Sequence, residues 1–150
     1  PAALDADIGL LPWSPLGGGW LSGKYKRDQM PTGATRLGED PKRGMEAFEK
    51  RNAKSVTWEV IGAVEDIAKA RGASMAQVAL AWLSQQPAVT SVILGARTTA
   101  QLKDNLGAAD LVLSADDIAT LSEASKPEMS DYPYGAGGIG QRNRKIEGGR

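Results

Sequence analysis

Trp13-Ser14-Pro15-Leu16-Gly17-Gly18-Gly19-Trp20-Leu21-Ser22-Gly23-Lys24-Tyr25 carries an apolar run into a glycine-rich loop that closes on a lysine. Ile8, Leu10 and Leu11 precede it and read as a strand. Glycines let backbone N–H groups approach a ligand closely, and Lys24 adds positive charge, so the loop is a place for an anion such as a pyrophosphate. Read alone, the same residues also make an ordinary turn.

A second junction repeats the chemistry. Residues 90–94 form a short β-branched run, followed by Gly95-Ala96-Arg97 and then Thr98-Thr99-Ala100-Gln101, the spacing of a helix capping box. A strand thus hands the chain to a helix N-terminus with an arginine between them. Unpaired N–H groups and the partial positive charge of such a terminus suit a phosphate. The bland reading makes Arg97 a solvated surface charge. Two strand ends with anion chemistry in one chain point instead to a phosphate-rich cofactor lying across neighbouring loops.

Trp13-Ser14-Pro15-Leu16 with Leu21-Ser22-Gly23-Lys24-Tyr25, then Gly95-Ala96-Arg97-Thr98 with Gln101-Leu102 and Asn105-Leu106, resemble the C-terminal half of an aldo-keto reductase. The resemblance covers nearly the whole chain and keeps the family's motif order. It implies an α/β fold, the C-terminal part of a (β/α)8 barrel, with these segments as the seventh and eighth strands and their loops. About two parallel strands plus helices are expected, incomplete as a single chain. The resemblance implies that Ser14, Pro15, Leu16, Gly17, Gly18 and Lys24 line the pyrophosphate and nicotinamide side of NADPH. It further implies that Gly95, Arg97, Gln101 and Asn105 hold the adenosine end, Arg97 near the 2′-phosphate. Sites at the C-terminal ends of strands are the rule for such barrels.

The family's catalytic tyrosine, lysine, aspartate and histidine belong to the N-terminal half of the barrel, and their motifs are missing here. No histidine occurs in the chain, and Tyr25, Tyr132 and Tyr134 are its three tyrosines, none in that catalytic context. Lys24 belongs to the cofactor loop. No catalytic residue is therefore assigned. A complete barrel needs about 250 residues, whereas this sequence has 150. It reads as a fragment, a split half or a truncated product.

The expected function is the NADPH-binding half of a reductase that converts an aldehyde or ketone to an alcohol. The alternative is a non-catalytic nucleotide-binding or structural half-barrel. The expected partners are the N-terminal half of the barrel, on the same or another chain, and a small carbonyl substrate. Open edges of a parallel sheet also invite self-association.

Lys plus Arg and Asp plus Glu each number 18, so the net charge is zero and nothing global favours nucleic acid or an anionic membrane. The chain has no cysteine, which excludes disulfides and thiolate metal sites. No metal site is read from its carboxylates. No apolar run reaches the roughly 20 residues of a membrane span, nor is there a signal-peptide pattern, which makes the cytoplasm the expected location.

Residues 26–43, with Pro31, Gly33, Gly38 and Pro41, read as a long polar loop. The resemblance folds this loop over the cofactor, with Arg27 or Arg36 within reach of a phosphate. A helix is expected over residues 45–71, interrupted near Asn52 and stopped by Gly72. Ser74-Met75-Ala76-Gln77 opens a second helix. Trp82 on it reads as core packing rather than a ligand platform. In the helix after Arg97, Leu102 and Leu106 are expected to face inward, while Gln101 and Asn105 face an adenine or ribose. Ser114 begins a last helix that ends near Pro127. Residues 1–127 form the barrel half. Residues 128–150 form a C-terminal tail, mobile or folded with Tyr132 and Tyr134 against a substrate pocket.

Overall fold

Two extended segments, residues 8–13 and 89–93, lie parallel, bridged at Leu10–Val89 and at Trp13–Ile93. Leu10 N–H donates to the Ala88 carbonyl at 2.6 Å, Thr90 N–H to Leu10 at 2.9 Å and Ile93 N–H to Pro12 at 2.9 Å. The computed structural model describes residues 2–44 and 47–127; Tyr132, Tyr134 and the rest of the expected tail lie outside them.

The pair corrects the expected strands. Between the two bridges the first segment advances from Leu10 to Trp13 and the second from Val89 to Ile93, one residue more, so the register slips as at a bulge. Pro12 contributes no N–H to a ladder. Isolated bridges replace continuous strands among the described residues.

The remaining architecture is helical. In chain order come α1 (Ala2–Asp5), a 3-10 turn (Gly17–Ser22), α2 (Arg36–Glu39), α3 (Phe48–Asn52), α4 (Ser55–Arg71), α5 (Met75–Ser84), α6 (Thr99–Leu106), a second 3-10 turn (Gly107–Ala109) and α7 (Ala115–Ala124). Local signals explain several boundaries. Gly72 closes α4 in the left-handed conformation, at φ 62°. Complete capping boxes start α5 at Ser74 with Gln77, and α7 at Ser114 with Asp117. The interruption near Asn52 divides α3 from α4. Residues 26–43 are not all loop, since one turn of helix, α2, is built into them.

Two apolar clusters hold these helices together. Val64, Ile67 and Ala68 of α4 pack with Val78 and Ala81 of α5, Leu113, and Leu121 of α7. Trp20, Tyr25, Leu37, Phe48 and Ile61 form the other, and Leu21 and Met75 touch both. Trp82 packs against the first cluster, and its Nε1 donates to Ser122 Oγ at 3.1 Å, a structural role.

The paired segments stay uncovered. Leu11 is 57% exposed, Trp13 75% and Ile93 54%. An open cavity of about 280 Å³, lined by residues including Leu4, Ile8 and Val89, sits at the opening end of the pair, away from the glycine loop.

Candidate functional site

Both anion-type segments leave the parallel pair at the same end. The Trp13–Ile93 bridge sets the start of the glycine loop beside the start of the Gly95-Ala96-Arg97 junction. Beyond that bridge the chain is shaped by turns and a capped helix start rather than by a ladder.

Ser14 takes φ 54°, and Gly17, Gly18 and Gly19 come after it at 55°, 71° and 97°. Left-handed backbone is open to glycine at little steric cost, and Gly18 and Gly19 put a kink into the 3-10 turn of this loop. Gly17 N–H donates to the Ser14 carbonyl and Gly19 N–H to that of Leu16, both at 2.9 Å. Those two amides close the turn rather than face a ligand, so cationic side chains carry more of the site's anion chemistry than glycine N–H groups alone suggest. Pro15 and Leu16 lie half-buried along the same loop.

Lys24 folds back over this turn. A Cβ on Gly19 would stand 2.9 Å from Lys24 Cε and 3.0 Å from Nζ, and the ammonium lies 5.9 Å from the Tyr25 ring centroid. Partial burial, then the charges of Arg97 and Arg36, hold the Lys24 pKa below its usual value. Three cations therefore share one neighbourhood. Arg51 adds a fourth beside the turn, with Nη1 3.5 Å from where a Gly17 Cβ would lie. Arg27 stands instead beside Asp28, at 4.0 Å.

Across from the turn, Thr98 caps α6, its hydroxyl accepting from Gln101 N–H at 3.2 Å. The Gln101 Oε1 accepts from Arg97 N–H at 2.9 Å, one residue earlier than a capping box requires. Gln101 thereby fixes the backbone of Arg97. Gly95 and Arg97 are exposed.

The inward and outward faces of α6 differ from expectation. Asn105 is 6% exposed, while Leu102 is 41% and Leu106 55% exposed. The i, i+4 spacing separates the two rows correctly, but nothing among the described residues covers the leucine row, so its apolar character does not turn it inward.

Two residues matter that the motifs alone do not single out. Tyr25 is buried, donates to the Gly18 carbonyl and accepts from Leu37 N–H, each at 3.3 Å, tying the glycine loop to α2. Its ring meets Trp20 edge-on at 5.3 Å. Glu39, the last residue of α2, accepts from Arg97 Nη2 at 2.8 Å. The hydrogen bond from Arg97 drives the Glu39 carboxyl below its usual pKa and raises that of Arg97. No sequence signal joins those two residues, 58 positions apart.

This arrangement fits a phosphate-bearing nucleotide. A carboxylate already engages Arg97, so the guanidinium is placed to receive an anion, and Lys24 and Arg36 bring further positive charge. Among the described residues no group of histidine, cysteine or carboxylate ligands could hold a metal ion, and no helix is long and apolar enough to cross a membrane.

The aldo/keto reductase family model matches residues 1–126. The chain belongs to the aldo/keto reductase family. Among curated relatives, Protein tas of Escherichia coli (strain K12) is 37% identical over 128 residues, 84% of this chain and 34% of that protein. Probable aldo-keto reductase 1 of Glycine max is 32% identical over 124 residues, covering 83% and 34%. A probable voltage-gated potassium channel subunit beta of Arabidopsis thaliana is 32% identical over 115 residues, covering 75% and 33%. The chain spans about a third of the length of the curated relatives it matches. Membership in the aldo/keto reductases implies a (β/α)8 barrel.

Proposed function

We propose that this chain is the cofactor-binding half of an NADPH-dependent aldo-keto reductase, working with a segment that carries the catalytic groups. The observation that carries this reading is the pair of cations beyond the Trp13–Ile93 bridge, Lys24 folded over the glycine turn after one segment and Arg97, already on a carboxylate, after the other. A 2′-phosphate is received at Arg97, Gln101 holds that residue's backbone, and Lys24 takes the pyrophosphate beside the glycine turn. Bound there, NADPH supplies a hydride to the carbonyl carbon of an aldehyde or ketone. This chain binds and orients the dinucleotide. The proton for the alcohol comes from the N-terminal half, on the same polypeptide or another, since this sequence has no histidine and Tyr25 is buried as a strut.

The absence of the tetrad motifs favours one other reading, a nucleotide-binding unit without turnover, and the relative named as a channel subunit beta accords with it. Fluorescence titration with NADPH tests what both readings share. Arg97→Ala should weaken NADPH by about ten-fold or more, a charge-assisted hydrogen bond being worth about 1.5–3 kcal/mol. NADH should hardly change. Equal losses for the two dinucleotides would remove Arg97 from the 2′-phosphate. Adding the N-terminal half and assaying a generic aldehyde then separates reductase from silent binder.

A further inference from the structure

Glu39 is held in place by more than its ion pair. Thr35 caps α2, its hydroxyl accepting from Gly38 N–H at 3.0 Å. Leu37 is completely buried beside Trp20 and Phe48, and its N–H donates to Tyr25 Oη. Gly38 lies so close to the backbone of Thr32 and Gly33 that a Cβ there would collide with it. One turn of helix is thus pinned from three sides, and its last residue delivers a carboxylate to the Arg97 guanidinium at 2.8 Å.

We infer that Glu39 is a specificity-determining residue of the nucleotide site, an internal competitor that occupies Arg97 until a 2′-phosphate displaces it. This rests on the cofactor reading above. A phosphate monoester carries up to two charges and takes the guanidinium from a single carboxylate. A 2′-hydroxyl carries none and leaves the pair intact. Glu39 therefore weakens 2′-phosphorylated ligands selectively and narrows the preference for NADPH over NADH. The pyrophosphate is common to both dinucleotides, so their affinity ratio isolates the contribution at Arg97.

Glu39→Gln keeps the side chain's size and removes its charge. Titrations of the 150-residue chain with 2′,5′-ADP, NADPH and NADH, read by calorimetry, are the test. In about 20 mM salt, Glu39→Gln should tighten 2′,5′-ADP and NADPH by about two- to five-fold, the range set by an exposed ion pair, and leave NADH within error. The gain should fade in about 0.5 M salt, where screening shortens to a few Å. In an Arg97→Ala background the same change should do nothing, because the competitor has lost what it competes for. Wild-type binding of 2′,5′-ADP that Arg97→Ala weakens but Glu39→Gln leaves unaltered overturns this inference and spares the cofactor site. Tightening of NADH by the same factor overturns it too. No saturable binding of 2′,5′-ADP by the wild type or either variant overturns both.

Discussion

Lys24 and Tyr25 are sequence neighbours with opposite tasks. The lysine is forced over a glycine turn into a field of two arginines, and partial burial with that field keeps its pKa below the ordinary lysine value. Its charge is then the first in the site to be lost on the alkaline side. Affinity for a polyphosphate such as NADPH should decline as pH rises through that lowered pKa, and Lys24→Met should bind more weakly with the decline removed. An identical alkaline limb in the variant would assign it to another group. The tyrosine packs inward, and Tyr25→Phe deprives both the buried Leu37 N–H and the Gly18 carbonyl of a partner. A loss of about 1–3 kcal/mol in urea unfolding is expected. Because Tyr25 ties α2 to the glycine loop, the same variant should disturb Glu39 and with it the Arg97 pairing. Neither role was readable from Lys-Tyr as a dipeptide, since both depend on residues brought in from Arg36, Leu37 and Arg97.

The helices were the most legible elements, because their ends are decided within four residues. Ser74 with Gln77, Ser114 with Asp117, and Gly72 each act through hydrogen bonds or backbone freedom that the sequence displays directly. Ser114→Ala should cost about 1 kcal/mol, read from thermal or urea unfolding. Asp117 gives α7 a pH signature. Burial by itself raises its pKa, but hydrogen bonds from the Ser114 N–H and the pairing with Arg71 outweigh that and leave it below the usual carboxylate range. A depressed folded-state pKa contributes stability above the unfolded carboxylate pKa and loses it as pH falls through the folded value. Asp117→Asn should therefore lower the melting temperature at neutral pH, and the gap from wild type should close on acidification below about pH 4. A gap independent of pH would mean the side chain acts by shape alone. The extended segments were less legible. Apolar β-branched runs announce strands, but Pro12 and the one-residue slip between the bridges interrupt the ladder, and neither effect shows until the two segments are paired.

Taken whole, the described residues are helix-rich and leave apolar side chains bare on several elements. Leu11, Trp13 and Ile93 on the paired segments, with Leu102 and Leu106 on α6, are exposed. In a closed barrel, strands are covered on both faces, by helices outside and by packed side chains within. The proposed N-terminal half supplies that cover, and without it the chain should self-associate through the same surface. Trp13→Lys should shift the 150-residue chain toward monomer in size-exclusion chromatography and weaken its capture of a separately produced N-terminal half. A wild-type monomer with a cooperative melt would show that the region needs no cover.

What could be read along the chain was whatever is written within a few residues: the capped helix starts, the glycine stop after α4, and a motif order that matches the aldo/keto reductases. Folding in three dimensions settled the rest. It placed Glu39 on Arg97, turned Asn105 inward and Leu102 outward, used the Gly17 and Gly19 amides within their own turn, and made Tyr25 a strut. The physical reason is range. Capping and turn preferences act through neighbouring backbone groups, whereas burial and ion pairing depend on which distant surfaces meet, and local periodicity does not encode that.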